Sequence, residues 1–95
     1  MIRCTYCKST RELTVEGHAN YAPPGVDIVC AGVTALEMAL NAWMEQREDC
    51  IVRLEPSASY FRGTESTDDV MECIWRGLVQ ISKWYENFCK CTEKS

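Results

Sequence analysis

The chain has 95 residues, 46% of them hydrophobic and 25% charged, which is the composition of a globular domain rather than of a disordered or fibrous chain. That length suits one domain spanning residues 1–95 and leaves no room for a second core. A net charge of −4 repels phosphate backbones, so direct nucleic-acid binding is disfavoured and a basic peptide or protein is the better-matched partner.

The first segment, Ile2 to Lys8, carries the β-formers Ile2, Thr5 and Tyr6, and Ser9-Thr10-Arg11 reads as a turn. From Leu13 to His18 the apolar Leu13 and Val15 alternate with Thr14 and Glu16, the period-two pattern of a half-buried strand. The two runs predict a β-hairpin. Ala19 to Gly25 holds Asn20, Pro23, Pro24 and Gly25, which propagate neither helix nor central strand, so it reads as a loop.

Asp27 then suits the N-cap of a helix with apolar positions Val29, Val33, Leu36, Leu40 and Trp43 or Met44, ending near Gln46 to Asp49. Cys50 to Glu55 and Ser59 to Arg62 read as two strands. A second helix begins around Thr67-Asp68-Asp69, with acidic residues at the positive end of its dipole and a stripe of Val70, Ile74, Leu78, Ile81 and Tyr85. Asn87 breaks it, and Phe88 to Thr92 reads as a last edge strand. The order ββαββαβ predicts an α+β fold, an α/β sandwich with two helices on a mostly antiparallel sheet.

No run approaches the roughly 20 apolar residues of a membrane span, and Met1 to Cys7 lacks the apolar core of a signal peptide. The expected location is cytoplasmic, with no membrane partner. An odd count of seven cysteines in a reducing compartment argues for thiols rather than a disulfide framework.

One cysteine stands where chemistry wants it. Cys30 lies in the first turn of the helix capped by Asp27, where the dipole favours negative charge on sulfur and backbone N–H groups can hold an oxyanion. The only histidine, His18, precedes the loop leading to that helix. A base and a thiol within reach of each other are the minimum apparatus of thiol proteolysis, which needs no metal and no cofactor. The competing reading of the same two residues is a structural thiol and a surface histidine.

The wording of the segment separates these readings. Gly17-His18-Ala19, Tyr21-Ala22, Gly25 and the run Asp27-Ile28-Val29-Cys30-Ala31-Gly32-Val33-Thr34-Ala35-Leu36 resemble the ribosomal-processing cysteine proteases of the Prp family. Gly77-Leu78 through Trp84-Tyr85 is similar to that family's last helix and strand. The resemblance implies a catalytic dyad of His18 and Cys30 and a mobile substrate loop with Asn20, Tyr21, Gly25 and Val26. It also implies a homodimer whose substrate is the N-terminal extension of a basic ribosomal protein, number twenty-seven of the large subunit, cut after an aromatic pair and before a small residue. Three departures stand out: Gly32 replaces the usual second alanine, Thr34 replaces serine, and Pro23-Pro24 stiffens the gate loop. The reading from a different class is a non-catalytic assembly or peptide-binding module on the same fold.

Cys4-Thr-Tyr-Cys7 and Cys89-Lys-Cys91 allow a four-thiolate zinc site if the first and last strands are neighbours. Three-residue spacing on a strand sends Cys4 and Cys7 to opposite faces, however, so free or half-buried thiols are the favoured reading and no metal is expected. Cys50 and Cys73 read as core fillers. Asp27 has a second candidate role, orienting His18, and Asp68 and Asp69 read as a solvated helix start. Trp43, Trp75 and Trp84 read as core or dimer interface.

Overall fold

The computed structural model describes residues 1–23 and 25–95; Pro24, half of the proline pair expected to stiffen the loop, lies outside them. The elements in order are β1 (Ile2–Cys7), β2 (Glu12–Glu16), α1 (Ile28–Met44), β3 (Ile51–Glu55), β4 (Ala58–Arg62), a short 3₁₀ turn (Glu65–Thr67), α2 (Asp68–Trp84) and β5 (Cys89–Lys94). The ββαββαβ order and the α+β class are as the sequence predicts. The five strands form one sheet in the order β3-β4-β2-β1-β5. Every pairing is antiparallel except β1 with β5, which run parallel and set the first and last strands side by side.

Alternation decides which face is covered. Ile2, Cys4 and Tyr6 of β1, Leu13 and Val15 of β2, Phe61 of β4 and Cys89 of β5 are buried, and they share one core with Val29, Val33, Leu40 and Met44 of α1. The other face stays partly wet: Arg53 lies over the Tyr60 ring, and the Tyr60 hydroxyl donates to Glu12.

Several expectations need correction. The buried face of α2 is Met71, Ile74, Trp75 and Leu78, whereas Val70, Ile81 and Tyr85 only border the core. The stripe is turned because Trp75 packs on Tyr6, with ring centroids 5.5 Å apart, and its indole N–H donates to Glu93 at 3.1 Å. Cys73 is exposed, so it fills no core; Cys50 is half-buried against it. Trp84 is 80% exposed. Asp68 and Asp69 do start α2, with the Asp68 side chain still 48% exposed, but Asp68 is also gripped by Arg11, which sits in a left-handed turn conformation (φ 60°), through two bonds of 2.9 and 3.3 Å. Helix α1 ends at Met44 rather than Gln46 to Asp49, because the Arg47 N–H bonds back to the Met44 carbonyl and Asp49 holds the Arg47 guanidinium.

Candidate active site

The strand expected to run to His18 stops at Glu16, and the reason is Gly17. Its φ is +90°, and a Cβ there would collide with the Met1 carbonyl oxygen. Its N–H donates to the Ser57 carbonyl at 2.9 Å. Only glycine combines that conformation with that approach. The chain therefore leaves the sheet at one fixed angle, delivers an exposed His18, and sinks Ala19 into the core at 2% exposure.

Asp27 caps α1 from an extended conformation, with Oδ1 accepting the Cys30 N–H at 2.9 Å. Its Oδ2 accepts the Tyr21 N–H at 3.1 Å, so one carboxylate clamps both the helix start and the loop before it. These bonds, first that from Cys30 and then those from the Tyr21 and Ala22 amides, hold the Asp27 carboxyl below the usual carboxylate range. Among the described residues no hydrogen bond joins Asp27 to His18; the carboxylate faces main-chain donors, which is the capping role.

The loop that the resemblance implies to be mobile has an apolar anchor. The Tyr21 ring makes edge contacts with Tyr85 and Phe88, at centroid distances of 5.6 and 5.0 Å. The Val26 N–H closes a turn onto the Pro23 carbonyl at 3.2 Å. Asn20 adopts φ 56°, and Gly25, at φ +93°, has open space around it. Val26 remains 65% exposed.

At the centre is the half-buried Cys30 thiol. The Ala19 N–H points at its Sγ from 3.4 Å, within the longer range that hydrogen bonds to sulfur allow. The helix-start N–H of Cys30 itself, a sequence-level oxyanion candidate, is already taken by Asp27. His18 and Cys30 line the same clefts, yet among the described residues no hydrogen bond joins them.

Two clefts meet at this pair. One, of about 370 Å³, runs between α1 and the β3–β4 turn, with Glu37 and Asn41 on one wall and Leu54 to Ser59 on the other. Burial pushes the Glu37 carboxyl up, against a smaller opposing effect of the Ser59 hydroxyl. The second, of about 790 Å³, lies under the loop and is walled by small or apolar groups, among them Ala22, Ala31, Ala35 and Met38. Cys30, His18, Thr34 and Met38 border both. An extended chain crossing Cys30 thus has space on either side of the sulfur.

The sequence reading named His18, Cys30, Asp27 and the loop but missed Glu37, Met38 and Asn41 and the Ala19 amide. A signal existed for the helix residues: positions 34, 37, 38 and 41 follow Cys30 at spacings of four, seven, eight and eleven, one helical face. Of the four cysteines weighed as a zinc set, the fold gathers Cys4, Cys89 and Cys91 and leaves out Cys7, whose thiol lies 3.5 Å from the Ser9 hydroxyl.

Comparison with solved structures finds the same fold. A ribosomal processing protease Prp from S. aureus, in complex with a covalently linked product peptide, superposes with a TM-score of 0.84 at 20% identity, covering 99% of this chain and 100% of that one. SMU.848 from Streptococcus mutans gives 0.74 at 24% identity over 99% and 94% of the two chains. The S. aureus protease with a substrate peptide gives 0.67 at 19% identity over 98% and 97%. At these identities the likeness establishes the fold. The search of curated proteins returned no significant match. The family described as "Cysteine protease Prp" matches residues 1–90, nearly the whole chain, and with the thiol at a helix start between two clefts the conclusion follows: this chain belongs to the Prp family of cysteine proteases.

Proposed function

We propose that the chain is a cytoplasmic endopeptidase that removes a short N-terminal extension from a basic ribosomal protein, with Cys30 as nucleophile and His18 as its base. The observation that carries this reading is the position of the Cys30 sulfur, at the junction of two clefts with a main-chain N–H aimed at it and the only histidine on the same wall. The S. aureus relatives bound to product and substrate peptides support a peptide as the ligand of these clefts. The loop-side cleft suits apolar, aromatic side chains, whereas Glu37 and Glu55, on opposite walls of the other, suit a basic protein. Among the described residues no helix is long and apolar enough to cross a membrane.

In the reaction, His18 takes the Cys30 proton and the sulfur attacks the scissile carbonyl carbon. The carbonyl oxygen becomes an oxyanion, for which the Ala19 N–H is the nearest identified donor. Collapse breaks the C–N bond, His18 returns the proton to the leaving amine, and a thioester remains on Cys30. Water then attacks the thioester with His18 again as base, releasing the acid and the thiol. Since the two side chains are not bonded in the free protein, bound peptide brings them together by selecting one loop arrangement. A homodimer is part of the proposal, with the exposed Trp84 as a candidate contact; a monomer mass by light scattering counts against it.

The test is single-turnover cleavage of a peptide carrying an aromatic pair followed by a small residue. Cys30→Ala abolishes cleavage, and His18→Ala costs nearly as much, with the double mutant no worse than either because members of a catalytic unit are non-additive. A tenth of the wild-type rate retained in Cys30→Ala overturns the assignment. Preferential labelling of Cys30 by limiting iodoacetamide separates a protease from a non-catalytic module of the same fold, with a control at Cys7, because hydrogen bonds from Thr10 and then Ser9 bring that half-exposed thiol down to about 7.

A further inference from the structure

Away from the catalytic cleft, three sulfurs converge beneath α2. The parallel register sets Cys4 of β1 opposite Cys91 of β5, and Cys89, two residues earlier, points to the same face. All three Sγ atoms lie within 4.8 Å of one another. Cys4 and Cys89 are each 1% exposed, while Cys91 is half-buried and forms the open side of the cluster. Cys7, three residues from Cys4, is excluded by the strand's alternation.

We propose that Cys4, Cys89 and Cys91 form a binding site for a thiophilic d¹⁰ metal ion, held by three thiolates that clamp the last strand to the first. The donor set is sulfur alone, which selects soft or borderline cations over magnesium or calcium. Zn–S bonds of about 2.3 Å in tetrahedral geometry place sulfurs about 3.8 Å apart, so the cluster needs only a contraction of side-chain rotamers. Zinc would complete its shell with water on the Cys91 side; copper(I) is satisfied by three thiolates in a plane. Each bound thiol gives up its proton to solvent, so binding weakens as pH falls. The clamp joins residues 4 and 89–91 across almost the entire chain, and binding to the folded state alone raises its stability.

The experiment uses reduced, oxygen-free Cys30→Ala protein, which removes the catalytic thiol as a competitor. Zn(II) and Cu(I) are titrated separately against a competing chromophoric chelator, with Cys91 alkylation and thermal unfolding read in parallel. At least one of the two ions binds at one equivalent per chain, abolishes Cys91 alkylation and raises the melting temperature; which of them does so identifies the metal. Cys91→Ser weakens binding at least tenfold, whereas Cys7→Ser and Cys73→Ser do not. Should Cys91→Ser fold poorly, protection of Cys91 in the unsubstituted cluster still decides. The proposal is overturned if neither ion binds stoichiometrically, if Cys91 stays reactive at saturation, or if binding survives Cys91→Ser.

Discussion

Gly17→Ala reports at once on stability and on the placement of the catalytic base. The substitution puts a Cβ at φ +90°, a region costing a non-glycine residue about 1–3 kcal/mol. That Cβ also meets the Met1 carbonyl oxygen, a main-chain atom that cannot rotate aside, so the start of β1 or the Gly17 turn must shift. A total loss of about 2–4 kcal/mol follows, inside the 5–15 kcal/mol typical of a small domain, so the variant still folds. With about 4–8 °C lost per kcal/mol at this size, the melting temperature falls by roughly 10 °C or more. His18 is the next residue, and a displacement near 1 Å in a reacting group costs on the order of 100-fold in rate. Urea titration and single-turnover peptide cleavage, both well below the variant's melting temperature, measure the two effects. Leu78→Ala is the control, because it opens a core cavity costing about 2–5 kcal/mol at a residue that lines neither cleft and should keep cleavage within a few-fold. If Gly17→Ala cleaves at the same fraction of the wild-type rate as Leu78→Ala, the glycine serves stability alone and the reasoning about His18 fails.

Gly32→Ala should stabilise the protein by up to about 1 kcal/mol from helix propensity, since the new Cβ meets only the flexible Ile81 Cδ1 at 3.3 Å; a lowered urea midpoint would show that Ile81 cannot yield. The lowered Asp27 carboxyl contributes stability that is complete above its unfolded value of about 3.9 and is lost as pH falls through the folded value beneath it. Asp27→Asn keeps a capping oxygen without the charge, so the wild type's advantage over it should shrink below about pH 4; an unchanged gap down to about pH 2 refutes the linkage. In hydrogen exchange, Asn20 and Gly25 should gain protection when an uncleavable peptide aldehyde is bound, with a smaller gain at Tyr21, Ala22 and Val26, whose amides are already bonded. Equal protection of all five with and without the aldehyde means that the site is preformed.

Local chemistry was legible in the sequence wherever a residue's role depends on its chain neighbours. Asp27 three residues before Cys30 announces a capped helix start, alternation in Leu13 and Val15 announces a half-buried strand, and the Gly17 to Leu36 wording points to the protease family. Most of the stripe of α1 was readable too: Val29, Val33, Leu40 and Met44 are buried, and Leu36 borders the core. On α2 two faces compete, and the sheet decides: Trp75 fits over Tyr6, which turns Val70 and Ile81 to the margin. Other features depend on partners far along the chain, which no local pattern encodes. The Tyr21 anchor needs Tyr85 and Phe88, the second cleft wall needs the β3–β4 turn beside α1, and the Arg11 grip on Asp68 spans 57 positions. The parallel pairing of β1 with β5 is the clearest such case. Spacing alone could say that Cys89 and Cys91 share a face and that Cys4 and Cys7 do not; only the register of two strands at opposite ends of the chain decides which sulfurs meet.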